Sequence, residues 1–285
     1  MDTAELQITT ASGEKANFSP DKIARSLRKS GADKASIQQI LSLIESELYE
    51  GITTREVYNR AFELLKEKDS VLASRYKLKK AIYELGPTGY PFERFVAALF
   101  EHRDYRVEVG KVVQGVCVSH EVDVIAKKDN LTLFIECKFH SEQGRFCNVK
   151  IPLYIHSRFR DIEKFYQAKH HPEEFFNEGW VVTNTRFTKD ALEYGKCADL
   201  NLLGWDFPKG AGLKEMIDAA GLYPITVSTL LSKREKQFLL SRDVVLCRDL
   251  VKDKFYLDHL GVSDPRKQRI LKEMKMLCTI QKGNE

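Results

Sequence analysis

Between residues 121 and 140 the chain reads EVDVIAKKDNLTLFIECKFH, two apolar alternating runs that nonetheless carry Asp123, Glu136 and Lys138. A charge inside a half-buried strand is costly unless it is solvated, paired or ligated. In the first run Val122, Val124 and Ala126 point one way and Glu121, Asp123 and Ile125 the other. In the second, Leu131, Leu133, Ile135 and Cys137 share one face, and Thr132, Phe134, Glu136 and Lys138 the opposite one. An antiparallel hairpin turning at residues 127–130 with an even-length loop sets odd residues of one strand against even residues of the other. Asp123, Glu136 and Lys138 then form one patch. Neighbouring carboxylates raise each other's pKa unless a cation joins them. Mg²⁺ suits that role, since it takes oxygen ligands and keeps waters and phosphate oxygens in its shell. A lysine beside it can orient or help deprotonate a water, which is the chemistry of phosphodiester hydrolysis. The alternative is a solvated Glu-x-Lys ion pair on a strand face, worth at most about 1 kcal/mol. Dense apolar flanks, and Phe134 on the charged face, favour chemistry.

Three segments must position these groups. The first, residues 1–87, opens with an alternating LQITT run, a Ser12-Gly13 turn and a short run ending at Phe18, which reads as a hairpin. Ser19-Pro20-Asp21 then starts a helix, Ser as the cap and Pro in the first turn. Further helices are expected over residues 36–49, from Thr53 or Thr54 with Glu56 available for a capping box, and over 71–85. Gly86-Pro87-Thr88-Gly89 breaks the pattern. The second segment, residues 88–207, opens with PFERFVAALFEH, where Phe92, Phe95, Val96, Leu99 and Phe100 fall at helical spacing and Glu93 lies on a flank. Strands are expected at 105–109, 116–126, 131–139 and 179–183, with helices near 157–169 and 188–198. That order indicates a mixed α/β domain. The third segment, residues 208–285, follows a Pro-Lys-Gly-Ala-Gly stretch and reads as short helices punctuated by Gly221, Pro224, Gly261 and Pro265.

The 285 residues, 43% hydrophobic and 30% charged, suit two or three domains that fold without covalent staples. No 18-residue apolar run and no signal-peptide plan occur, so a cytoplasmic protein without a membrane span is expected. The six cysteines are scattered without zinc spacing and read as reduced. The net charge of +4 is concentrated in the last third, where 15 basic residues stand against 10 acidic ones.

HEVDVIA (120–126) followed by LFIECKF (133–139) resembles the D…ExK core of the PD-(D/E)xK nucleases, in their Mrr-like restriction endonuclease branch. The resemblance covers residues 88–207. PFERFVAALFEHRDYRVE is similar to that branch's opening helix, and WVVTNTRFTKDALEYGKCADLNLLGWD to its closing strand and helix. It implies that Asp123, Glu136 and the Cys137 backbone carbonyl ligate Mg²⁺ or Mn²⁺, that Lys138 positions the attacking water, and that Glu93 is a supporting acid. His120 and Glu121 could reach a phosphate or act as structural support. Gln143 and Gln167 are both candidates for a glutamine that some relatives place on the following helix. Arg145, Lys150, His156, Arg158 and Arg160, interleaved with Tyr154, Phe159 and Phe165, read as a DNA-facing strip, or alternatively as a solvated face over core aromatics.

The first segment resembles the ATP-cone, a nucleotide-sensing domain, in Gly13, the run from Phe18 to Ile23, and GITTREVY (51–58). The resemblance implies that Lys22 contacts ATP or dATP as a regulator. Where that family carries a Lys-Arg pair ahead of the hairpin glycine, this chain has Thr10-Ala11, so two phosphate-neutralising charges are missing. No GxxxxGK loop occurs, so any nucleotide would regulate rather than be hydrolysed. The last segment contains LGVSDPRKQRI (260–270), loosely similar to helix-hairpin-helix modules whose turn amides hold DNA phosphates; the alternative is a basic helical cap on the nuclease domain.

The expected molecule is therefore an α/β protein. It has a mixed-sheet, restriction-endonuclease-like core, an ATP-cone-like hairpin and helical bundle before it, and a helical segment after it. Its expected activity is metal-dependent DNA cleavage in defence against foreign DNA, by a homodimer. The alternative is a non-catalytic, nucleotide-responsive regulator that binds nucleic acid.

Overall fold

The computed structural model describes residues 6–10, 13–169 and 175–279. Strands β1 (Gln7–Thr9) and β2 (Lys15–Asn17) pair antiparallel as the opening hairpin. Four helices follow: α1 (Pro20–Lys29), α2 (Lys34–Glu47), α3 (Thr54–Lys68) and α4 (Ser70–Tyr76). Their starts obey local chemistry. Pro20 occupies the first turn of α1 behind Ser19. Thr53 and Glu56 form the capping box of α3, Glu56 N–H donating to Thr53 Oγ1 at 3.1 Å and Thr53 N–H to Glu56 Oε2 at 2.8 Å. Asp69 accepts from the amides of Val71 and Leu72 and so restarts the chain as α4. The expected helix over 71–85 is broken, because Lys77 separates α4 from α5 (Leu78–Tyr83).

After the Gly86-Pro87 break comes α6 (Tyr90–Glu101), whose Phe92, Phe95, Val96, Leu99 and Phe100 are all buried. Then come β3 (Arg106–Gln114), β4 (Ser119–Lys128), β5 (Leu131–Lys138), the two-residue β6 (Phe146–Cys147), and α7 (Lys150–Ala168). Next are β7 (Glu178–Thr183), the two-residue β8 (Arg186–Phe187), α8 (Lys189–Cys197) and β9 (Leu200–Leu203). The last part holds α9 (Leu213–Ala220), a 3₁₀ turn at Ile225–Val227, α10 (Lys233–Leu240), α11 (Cys247–Lys252), α12 (Phe255–His259) and α13 (Asp264–Cys278). None of the helices among the described residues is long and apolar enough to cross a membrane.

The main sheet has five strands in the order β3-β4-β5-β7-β9, antiparallel from β3 to β5 and parallel from β5 to β9. Side chains alternate between two cores. Leu133, Ile135, Val182 and Leu203 face α6 and the last helices, whereas Phe134, Val181 and Leu202 face α7 and α8. Three hydrophobic cores result. One fills the hairpin and bundle from Phe18 to Ala73; one lies between the sheet and α7–α8; the largest joins the other sheet face to α6, to Leu78, Ile82 and Leu85 around α5, and to Leu213 through Leu277. The third segment is thus a helical layer packed on α4, α5 and α6, behind the sheet.

Candidate active site

The β4–β5 hairpin has the register expected of its loop, with Val124 opposite Ile135, Ile125 opposite Phe134 and Lys127 opposite Thr132. One part of the parity argument needs correction. Val122 packs with Ile125 and Phe134 in the α7 core, not with Val124 and Ala126 on the opposite face. The alternation breaks at Asp123, which lies across from Gly110, where the backbone takes a φ of +64°. Glycine adopts that left-handed conformation without the clash a side chain would meet. The kink sets Asp123 where β4 leaves β5, and its Oδ2 accepts the Cys137 amide at 2.7 Å. This single bond ties the aspartate to the Glu-Cys-Lys stretch of β5.

Glu136 is buried, 7% exposed, and Arg158 of α7 pairs with its Oε2 at 2.5 Å. Its Oε1 is buried without a hydrogen-bond partner. Burial, then the Asp123 charge, push the Glu136 carboxyl up to about 8 even against Arg158. Glu93, half-buried on the first turn of α6, is pushed up to about 7 by burial and by Asp123 and Glu121. Asp123 is also raised, by burial, and held back by the Cys137 amide and Arg158. Three elements, α6, β4 and β5, therefore aim acidic groups at one end of the sheet, with Arg158 of α7 as counter-charge. Lys138 is exposed at the C-terminal end of β5. Its own carbonyl accepts the Thr183 hydroxyl at 2.7 Å. Just beyond, buried Asn184 clamps His140, accepting its N–H at 2.9 Å and donating to its carbonyl at 2.8 Å. The strand end that carries Lys138 is thereby fixed to β7.

The expected basic strip is split by the structure. Arg158 turns inward to Glu136 and the Glu121 carbonyl, because Ile155, Phe159 and Ile162 form the core face of α7 and Arg158 stands beside it. Phe159 is core, whereas Tyr154 is exposed and lies 5.6 Å from the Arg158 guanidinium. Arg145 pairs with Glu142 at 2.9 Å, Arg160 pairs with Glu163, and Lys150 is exposed at the start of α7. His156 meets the Tyr194 hydroxyl at 2.8 Å. His120 lies 2.8 Å from Asp161, which also accepts the Cys117 and Val118 amides at the tip of the β3–β4 hairpin. Gln143 lies in the turn after β5 and Gln167 near the end of α7, both exposed. Lys22 is exposed on α1 at a cavity of about 220 Å³ bordered by Thr10, Phe18, Tyr58 and Tyr76; Ala11 lies outside the described residues.

Sequence reasoning missed the roles of Arg158, Thr183 and Asn184. A signal for the last two was present, since Thr-Asn-Thr continues directly from an apolar strand into buried positions. The arginine gave none, because only the packing of α7 against β5 decides which way it turns.

Among the described residues no three or more His, Cys, Asp or Glu side chains cluster as a self-sufficient metal cage. Two carboxylates and a backbone carbonyl, with waters and phosphate oxygens completing the shell, are an ordinary way to hold Mg²⁺. The unpartnered Glu136 Oε1 and the raised carboxyls fit a group that would bring positive charge.

Residues 87–206 match the restriction endonuclease (Mrr catalytic) family, and residues 223–278 match the AF1548-like C-terminal family. An uncharacterized protein of Archaeoglobus fulgidus is 32% identical over 181 residues, covering 63% of this chain and 98% of the relative. The crystal structure of a protein of unknown function, AF1548, is similar at 31% identity with a TM-score of 0.55, over 67% of this chain and 98% of that one. With an acidic strand end built on a five-stranded mixed sheet and a helical layer sealed behind it, the chain belongs to the AF1548-like family and carries a restriction-endonuclease domain of the Mrr type.

Proposed function

We propose that the chain is a metal-dependent nuclease that hydrolyses phosphodiester bonds in DNA, acting in defence against foreign DNA. The observation that carries this reading is the buried Glu136, whose Oε1 has no partner while Asp123 and Glu93 press on it. Asp123, Glu136 and the Cys137 carbonyl would hold Mg²⁺ or Mn²⁺. When bound, such an ion neutralises the charge that builds on the phosphate. Arg158 occupies Glu136 Oε2 and so fixes the carboxylate with Oε1 free. Lys138, exposed beside this pair, can donate from Nζ to a water and aim it at phosphorus. The Thr183 and Asn184 bonds keep that lysine's backbone from drifting.

The test is incubation with plasmid and other DNA substrates, with Mg²⁺, Mn²⁺ or EDTA, comparing wild type with Asp123→Asn and Lys138→Met. Cleavage that needs metal and disappears in both variants is expected. Intact DNA under all conditions would reject the reading and leave a non-catalytic nucleic-acid-binding regulator. Cutting both strands calls for a homodimer by analogy with such cores, which sedimentation would test. The ATP-cone-like first segment suggests nucleotide regulation through Lys22; direct titration with ATP and dATP tests it, and absence of binding would confine that segment to a structural role.

A further inference from the structure

A second polar cavity lies where the first and third segments of the chain meet. It has a volume of about 660 Å³, within the range of sites for small ligands, and is bordered by α5, the Gly86-Pro87 link and α10. Lys236 is buried there, 8% exposed. Its Nζ donates to the Thr226 carbonyl at 2.9 Å, and Lys77 Nζ approaches the same oxygen at 3.3 Å. The two ammonium groups also share one carboxylate oxygen, Glu84 Oε2, at 3.5 Å from Lys77 and 3.9 Å from Lys236. Lys233 adds a third ammonium at the rim, with Gln237 one turn further along α10.

A structural ion pair would need one lysine for Glu84. A second buried ammonium against the first adds repulsion. Each ammonium has three donors, more than the carbonyl and the shared carboxylate oxygen can satisfy. Three cations against one carboxylate, in a recess open to solvent, are the makings of an anion site. We propose that this cavity binds a phosphate group, with Lys77, Lys233 and Lys236 as its cationic contacts and Gln237 as a neutral donor. The phosphate could belong to a free mononucleotide or to a DNA backbone, and the experiment separates the two. In the ligand-free protein burial and the Lys77 charge hold Lys236 down to about 7, with Glu84 and Glu273 opposing. An arriving anion therefore draws a proton onto it.

The test is isothermal titration calorimetry on the full chain without divalent metal, so the readout is independent of any cleavage. Inorganic phosphate should bind at one site, weakened at least tenfold by Lys236→Met. Glu84→Gln, which removes the competing carboxylate, should tighten binding roughly fivefold, an effect that misfolding cannot produce. Sulfate, whose charge is constant across the range, should bind more weakly at pH 8.5 than at pH 6, with heats that vary with buffer because a proton is taken up. Adenosine monophosphate binding tighter than phosphate, without competition from a short duplex, identifies a nucleotide; displacement of phosphate by the duplex identifies a DNA phosphate. Either result supports the site. Absence of saturable phosphate binding into the high-millimolar range, or affinity indifferent to both substitutions, overturns it.

Discussion

Replacing Glu136 by Gln should abolish cleavage and, in metal-free protein, remove much of the loss of stability that the wild type suffers as pH rises. The Glu136 carboxyl sits at about 8 in the folded chain against an ordinary 4.5. A carboxyl raised on folding binds its proton more tightly in the native state, so that state holds more protons between those two values. Stability then falls with rising pH across the window, since the unfolded chain has already released a proton that the native state keeps. At 1.36 kcal/mol for each tenfold change in proton activity, Glu136 alone should withdraw about 3 kcal/mol between pH 5.5 and 8.5. Glu93, raised to about 7, acts in the same direction but is half-exposed and screened, so its share is smaller. Gln keeps the shape and stays neutral. Urea unfolding of both proteins in EDTA across this range measures the difference, with the wild type losing about 3 kcal/mol relative to the variant. Mg²⁺ added at pH 8.5 should return stability to the wild type and leave Glu136→Gln unchanged. Parallel pH profiles for the two proteins would show that Glu136 is not a strained, buried carboxyl and would refute the reasoning.

Other substitutions probe the supports of the site. Arg158→Met leaves Glu136 without its counter-charge and should cost about 3 kcal/mol at pH 9, where the carboxyl is ionised, and much less at pH 6; denaturant unfolding at the two pH values checks this. Asp161→Ala removes the acceptor shared by the Cys117 and Val118 amides and by His120, and should accelerate amide exchange at residues 117 and 118 while the sheet core stays protected. Glu273→Ala strips four donors, the Ser74, Ser228 and Thr229 hydroxyls and the Thr229 amide, of a buried acceptor. It should destabilise the chain by about 3 kcal/mol and expose α13 to limited proteolysis.

Much of this arrangement is legible in the amino-acid order. The short, even loop of the β4–β5 hairpin leaves one register, which brings the Asp123 and Glu136 positions to the same strand end, although the alternation that would orient Asp123 breaks there. The capping box at Thr53 and the apolar stripe of α6 are local signals and appear where local rules put them. What escapes is set by contacts distant in the chain. Val122 changes face through Gly110 on the neighbouring strand. Arg158 turns inward because α7, which begins seven residues before the expected start near 157, packs against β5. Strand β9 escapes as well, since its four residues, LNLL, offer no alternation to distinguish them from a helix end or a loop.

The largest core has a consequence for biogenesis. Its α6 face is closed by Leu213 through Leu277, so the sheet that carries Asp123 and Glu136 is complete in sequence long before it can be sealed. At ordinary rates of translation, roughly ten to thirty seconds separate the emergence of β5 from that of α13. During that interval α6 already covers this side of the sheet, but the outer apolar face of α6 has no cover of its own. A chain truncated before residue 213 should therefore aggregate rather than persist as a folded domain.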